Sequence, residues 1–361
     1  MTTNARNAAE PTGKLLGVFG TSAPLTYWTW QVVGLICDQQ FGSHTSLLDG
    51  QFDPGMADDA AAGIPILLQS EIPLVAVSRH FIDHDLPRII VSEPLLEVVD
   101  YLTDMRALPV KSAARYATQS VSALHEMVLC PGQHSLTLDE HVYDLTVTQL
   151  VSRISKHFGL ELEPSATLDI CGHLTADGAD PSRTDVGSSV SHVVAYAGVR
   201  GDAGRRMAAY EDWLPPLMQQ YDRVRKGTVD RFVWPQQIFP KRDEPDIILA
   251  GAVELLGPAR ILIGGYTLHL PLGTWRARVD ILVEQNFSGN VLLVHGYVGA
   301  DLQKIRRARL PTQGEFRLEI DLTVADPNEP IQILLCTDQG AIEGRLELLT
   351  IGFSRQPSSN D

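Results

Sequence analysis

The sequence predicts an α/β chain in two parts, a three-layer, mostly parallel sheet followed by an antiparallel β-sandwich. Three observations predict it. Residues 15–19 form a short apolar run, Gly20-Thr21-Ser22-Ala23-Pro24 breaks it, and apolar residues from Trp28 to Ile36 resume at helical spacing. Residues 88–102 repeat that order, with Arg88-Ile89-Ile90-Val91 as strand, Ser92-Glu93-Pro94 as break and 95–102 as helix. Strand–loop–helix units of this kind build parallel sheets covered on both faces. Beyond residue 274 the period changes to two. Trp275, Ala277, Val279, Ile281 and Val283 alternate with Arg276, Arg278, Asp280 and Leu282, and Phe316, Leu318, Ile320 and Leu322 alternate with Arg317, Glu319 and Asp321. That is the pattern of a sheet with one buried face.

The first loop lies at the carboxyl end of its strand, where open α/β sheets bind ligands. Free N–H groups at the start of the following helix can hold a phosphate or sulfate. The loop is not a Walker A motif, since GxxxxGK[ST] is absent, and it contains no Lys or Arg. Residues 43–62 read as a connecting loop with one short helix, broken at Gly50, Pro54 and Gly55. Its acids Asp49, Asp53, Asp58 and Asp59 read as solvated loop residues rather than a metal site. Residues 64–68 and 72–77 read as two short strands. The second places Ser78-Arg79-His80 at a strand end beside the first loop, next to the turn acids Asp83 and Asp85.

Further along, 112–129 reads as a helix over the sheet, 135–138 as a strand and 147–158 as an amphipathic helix ended by Gly159. Arg153, Lys156 and His157 near its end either complement the helix dipole or form an anion site. Residues 175–191 are rich in Gly, Asp and Ser, and read as a lid or a plain surface excursion. Residues 207–224 return to helical spacing, with Pro215-Pro216 expected to break or kink the helix. Pro235, Pro240 and Pro245 mark a domain boundary between residues 232 and 246. The expected domains are therefore 14–234 and 246–354, the second with roughly eight strands. Tyr266, His269, Trp275, His295 and Tyr297 are its candidate sugar contacts, though Trp275 opens an alternating strand and reads better as core. A structural or assembly role for the sandwich stands as the alternative.

Composition narrows the function. A formal net charge of -15 argues against nonspecific nucleic acid or anionic-membrane partners, since both need a positive field. There is no run of eighteen apolar residues and no signal-peptide core in the first twelve, so a cytoplasmic protein without an integral membrane segment is expected. Cys37, Cys130, Cys171 and Cys336 are scattered with no CxxC pair, which suits a reducing compartment and gives no metal signature. Among titratable groups His80 stands out, as an imidazole able to take a proton from an acceptor hydroxyl, with the forked donors of Arg79 beside it for an anion.

At LLGVFGTSAPLTYW, IPLVAVSRHF, PRIIVSEPLLEVVDYL and the helix ending in HFGL, the first two thirds of the chain resembles the sulfotransferase superfamily in a divergent form. The resemblance implies a P-loop-like sulfotransferase fold, with a nucleotide sulfate donor cradled by Gly20, Thr21, Ser22 and Thr26 and its nucleotide-side phosphate near Ser92. It implies His80 as catalytic base, while the anion-stabilising role of Arg79 comes from its own forked donors. Where the family has Arg-Asp-Pro this chain has Ser92-Glu93-Pro94, and Asp100 stands where the family places a serine. The C-terminal part looks like β modules of polysaccharide-modifying proteins. Two readings follow. One is a degenerate transferase fold that recognises a saccharide or serves assembly, and the other is an active sulfuryl transferase acting on a saccharide or small hydroxyl compound.

Overall fold

The computed structural model describes residues 14–53, 65–196, 212–241, 244–249, 251–264 and 268–357. They fall into two compact units. One is built from the described residues up to Arg106 and from Met127 to 196, the other from Ala107–Glu126 and the described residues after 211.

The first unit is a parallel sheet of five strands: β1 (Leu15–Gly20), β2 (Thr45–Leu48), β3 (Ile66–Ser70), β4 (Arg88–Ser92) and β5 (Ser135–Asp139), in the order β2-β3-β1-β4-β5. The chain leaves β1 toward the β3 side and later returns to β4 on the other side. The carboxyl end of β1 is thus the topological switch point, where α/β sheets open a crevice. β1 is buried along its whole length, as its unbroken apolar run requires. Helix α1 (Pro24–Phe41) follows it and packs Leu25, Trp28, Val32 and Ile36 into a core shared with Val18, Ile89 and Val91. β2 was not expected, because its residues are mostly exposed and do not alternate; it is held by parallel pairing to β3.

The run expected as a second strand at 72–77 is instead the start of helix α2 (Val75–Asp83). Val77, Ser78 and Phe81 are its buried residues, a helical spacing that a short apolar run does not distinguish from a strand. Arg79 and His80 therefore lie on a helix and not at a strand end. Helices α3 (Leu95–Met105), α4 (Val110–Leu129), α5 (Val147–His157), α6 (Pro164–His173) and α7 (Val186–Val193) follow. A capping box of Thr146 and Gln149 opens α5, and Gly159 closes it at φ 62°. Residues 186–191 of the expected excursion at 175–191 lie in α7, whose Ser189 hydroxyl donates to Leu174 O and accepts from Trp28 Nε1.

The second unit contains helix α8 (Leu214–Arg225). Its Pro215-Pro216 sits in the first turn, where the missing N–H costs nothing, so the helix starts there rather than breaking. Residues 207–211 of that expected helix lie outside the described residues. The strands are β6 (Arg231–Pro235), β7 (Pro240–Lys241), β8 (Glu244–Ile248), β9 (Val253–Glu254), β10 (Ile261–Ile263), β11 (Gly273–Glu284), β12 (Val291–Val298), β13 (Asp301–Arg309), β14 (Gly314–Val324), β15 (Ile331–Thr337) and β16 (Arg345–Arg355). They form two antiparallel sheets, β13-β12-β15-β10-β7-β8 and β14-β11-β16-β6, with β9 beside β16. Trp275, Ala277, Val279, Ile281 and Val283 are fully buried on one side of β11, as their alternation requires. β6 overlaps the start of the boundary segment read from the prolines, and its partner is β16. Gln220 of α8 holds β6 by accepting from Val233 N at 2.5 Å and donating to Val233 O at 3.1 Å.

Candidate functional site

Parallel pairing of β1 with β4 puts Gly20-Thr21-Ser22 beside Ser92-Glu93, as the sequence implies. Thr21 N donates to Val91 O at 3.2 Å, and Thr21 Oγ1 accepts from Glu93 N at 3.4 Å. Thr26 reaches back to donate from Oγ1 to Thr21 O at 2.6 Å. Gly20 is obligatory here, because a Cβ would come within 2.4 Å of Thr26 Oγ1 and 2.9 Å of Val91 Cβ. Five of the predicted cradle residues, Gly20, Thr21, Ser22, Thr26 and Ser92, are thus together, and all are buried.

The cradle is filled by carboxylates. Helix α1 begins with Ala23 at its N-cap, which offers no side-chain acceptor, and has no acid in its first turn. Glu93 supplies the missing acceptor from across the loop, with Leu25 N donating to Glu93 Oε2 at 2.9 Å. Tyr143 donates its hydroxyl to the other oxygen. Pro24 has no N–H, and Thr26 N donates to Ala23 O at 3.0 Å, so in the first turn both Leu25 N and Thr26 N already have acceptors. Burial pushes the Glu93 carboxyl up to about 7; the hydrogen bonds from Tyr143 and Leu25 N oppose the rise, and Glu97 and Glu140 add to it.

A second carboxylate, Glu71, follows β3 at its carboxyl end. It accepts from the Ser22 and Tyr27 hydroxyls and pairs with Arg106 Nη2 at 2.7 Å. Burial pushes this carboxyl up, but the Ser22 and Tyr27 hydrogen bonds and the Arg106 charge outweigh it and hold it below the ordinary carboxylate range. Burial and the Glu71 charge raise the Tyr27 phenol. Sequence reasoning missed Glu71, Tyr27, Arg106 and Tyr143. The signal for Glu71 was its place directly after the strand, which the erroneous second strand at 72–77 obscured.

A nucleotide sulfate donor does not fit these described residues. Its phosphates would meet Glu93 and Glu71 at a helix start whose Leu25 and Thr26 amides already have acceptors, and Arg106, the cation that the described residues place beside Glu71, is held by it.

His80 is in the last turn of α2. Its ring packs in tilted contact against His84 at 4.5 Å and Phe52 at 5.3 Å between centroids, and burial, then the His84 charge, lower its pKa against the pull of Asp83. Asp85, the second of the turn acids, accepts from Gln133 N at 3.3 Å and lies 3.8 Å from Arg88 Nη1. His80→Ala is expected to change stability by no more than about 1 kcal/mol and to leave ligand binding unchanged, read by thermal melting and calorimetry. A large loss of binding with an unchanged melt would show a functional role for His80.

Of the candidate sugar contacts, Trp275 is core, with Nε1 donating to Pro271 O at 2.9 Å. His269 is buried, and burial, with Arg115 nearby, pulls its imidazole down to about 3. Tyr266 lies outside the described residues, as do Asp58 and Asp59. His295 and Tyr297 lie on the outward face of β12, opposite Ile305 and Leu302 of β13. Among the described residues no group of three or more His, Cys, Asp or Glu is placed to hold a metal ion. No helix among them is long and apolar enough to cross a membrane. Cys37, Cys171 and Cys336 are buried, whereas Cys130 is exposed.

No family model matches the sequence, and no curated protein matches it. Among solved structures the chain is weakly similar to the sulfotransferase domain from the curacin biosynthetic pathway, at 11% identity over 59% of this chain and 95% of that one with a TM-score of 0.36. It is similar to a mouse sulfotransferase complexed with PAP at 12% identity over 59% and 83%, TM-score 0.35. It is also similar to the C-terminal CBM6 of LamC, a marine laminarinase from Zobellia galactanivorans, at 10% identity over 35% and 100%, TM-score 0.23.

Proposed function

We propose that the protein recognises a saccharide through its β-sandwich, and that its α/β unit is a sulfotransferase-type core whose donor loop is closed by the chain's own carboxylates. The observation that carries this reading is the hydrogen bond from Leu25 N to Glu93 Oε2, which supports the chain's own carboxyl group occupying the place of the donor's phosphate. The sandwich supports the saccharide part. His295 and Tyr297 share an outward face with Leu302, 44% exposed, and Ile305, 50% exposed, and Arg307 lies on the same face opposite Leu293. An amphipathic aromatic beside exposed apolar and cationic side chains offers a sugar both a stacking surface and hydrogen-bond donors.

The test pairs two titrations of the full chain. With PAP, binding is expected to be weaker than about 1 mM, while a glycan panel is expected to return binders. Micromolar PAP binding would favour the active-transferase reading instead. PAP inert and the panel blank would leave assembly as the function.

A further inference from the structure

The sheet β14-β11-β16-β6 carries a shallow cavity of about 260 Å³ on its outward face, lined by Arg231, Arg276, Arg278, Glu319, Gly352 and Ser354. Strand register explains why these residues meet. Directly opposed residues share a face, so one rung across the sheet reads Arg231, Ser354, Arg276, Asp321, and the next reads Val233, Gly352, Arg278, Glu319. Arginines from two strands thus flank a position with no side chain.

Gly352 has no packing reason to be glycine. A Cβ there would meet nothing nearer than Phe232 O, at 3.8 Å, which is ordinary contact. Glycine inside a strand weakens it, and one recurring reason for keeping it is the close approach of a ligand. The charges agree. Arg276 is steadied by Asp321 at 2.8 Å, and Arg278 by Asp280 at 3.0 Å, which also takes Arg317 at 2.6 Å. Such exposed pairs add little stability, but they aim the guanidiniums and leave donors free on each. Arg231 forms no ion pair among the described residues. This gathering of cations stands out in a chain of net charge -15.

We propose that this groove is an oxyanion subsite for an acidic saccharide, with the sulfate ester or carboxylate of one sugar unit seated over Gly352 between Arg231, Arg276 and Arg278. The proposal rests on the saccharide reading above and adds the charge class of the ligand. Forked guanidinium donors match such oxyanions. Glu319, which also lines the groove, offers an acceptor to a neighbouring sugar hydroxyl. The cavity is smaller than the ~300–1,000 Å³ of pockets that enclose a drug-sized ligand, which suits one sugar unit of a longer chain.

The test is calorimetric titration of the full chain with a chondroitin sulfate hexasaccharide, its desulfated counterpart, cellohexaose and inorganic sulfate. The acidic hexasaccharides are expected to bind at least about tenfold tighter than cellohexaose. The desulfated probe separates sulfate from carboxylate as the group read. Arg231→Ala, at an exposed position, and Gly352→Leu, which fills the notch without changing charge, should each weaken acidic binding about tenfold and leave cellohexaose unchanged. Melting of each variant checks its fold, and Arg231→Ala decides alone if Gly352→Leu does not fold. Acidic binding that both folded variants retain overturns the subsite but keeps the saccharide reading, as does binding of cellohexaose as tight as the acidic probes. Inorganic sulfate binding as tightly as the hexasaccharide reduces the groove to a simple anion site and overturns the proposal. Silence toward every saccharide removes both the subsite and the reading it rests on.

Discussion

Arg88→Met is expected to destabilise the first unit by about 3–5 kcal/mol. Arg88 opens β4, and its side chain is 1% exposed. Nη1 donates to Phe81 O at 2.9 Å and Leu86 O at 3.2 Å, and Nη2 donates to Cys130 O at 2.7 Å and Pro131 O at 2.9 Å. One buried guanidinium therefore joins the end of α2 to the segment after α4. Methionine keeps most of the apolar stem but leaves four carbonyls without this donor. Buried carbonyls stripped of a charged donor lose more than a typical net hydrogen bond. Urea denaturation should show a lower midpoint with an unchanged slope, which marks lost stability rather than a changed denatured state. A loss below about 1 kcal/mol would mean that water replaces the guanidinium and that this junction is not a keystone of the unit.

Arg88 also shows what the sequence could and could not tell. As the first residue of Arg88-Ile89-Ile90-Val91 it is legible as part of a strand, but its four acceptors come from residues up to 43 positions away. The two strand–loop–helix units were readable because each is local, with a short apolar run, a break and then helical spacing. The sandwich was readable because alternation is a local signal too. What failed was non-local or ambiguous. The run at 72–77 carries apolar residues that suit either a strand or a helix, and its place after β3 decides for α2. β2 is an exposed edge strand with no alternation to announce it. β6 finds its place only through pairing with β16, more than a hundred residues later. The candidate site divides in the same way. The meeting of Gly20-Thr21-Ser22 with Ser92 follows from parallel neighbours at one sheet edge. The filling of that loop by Glu93 and Glu71 depends on side-chain directions that no spacing rule supplies. His80 was misplaced because its strand was.

Glu93→Gln is expected to become progressively more stable than the parent as pH rises from 5 to 8. The carboxyl is 1% exposed, and burial raises it from 4.5 to about 7. A group whose folded-state pKa lies above its unfolded value holds its proton more tightly in the native protein. Its stabilising contribution is complete below about 4.5 and is lost as pH climbs through 7, because the native state must then carry a buried carboxylate that the unfolded chain would leave in water. At about 1.36 kcal/mol per tenfold change in proton affinity, the full loss is about 3 kcal/mol by pH 8. Glutamine has the same shape and no proton to lose. Its oxygen can accept from Leu25 N, and its amide can donate to the Tyr143 oxygen, so the start of α1 stays satisfied. The two proteins should therefore melt together below pH 4.5 and separate progressively between about pH 4.5 and 7, with the variant the more stable. Glu93→Ala tests the other half of the argument. It removes the acceptor altogether and should destabilise by about 1–2 kcal/mol below pH 4.5, the usual worth of a helix cap, a deficit that shrinks and then reverses as the parent loses its own contribution up to pH 8. A pH-independent deficit in Glu93→Gln would show that Glu93 is ionised throughout, fixed in place by the α1 start and Tyr143. The loop would then hold a permanent negative charge, and exclusion of an anionic donor would be stronger at acid pH than a protonated Glu93 allows.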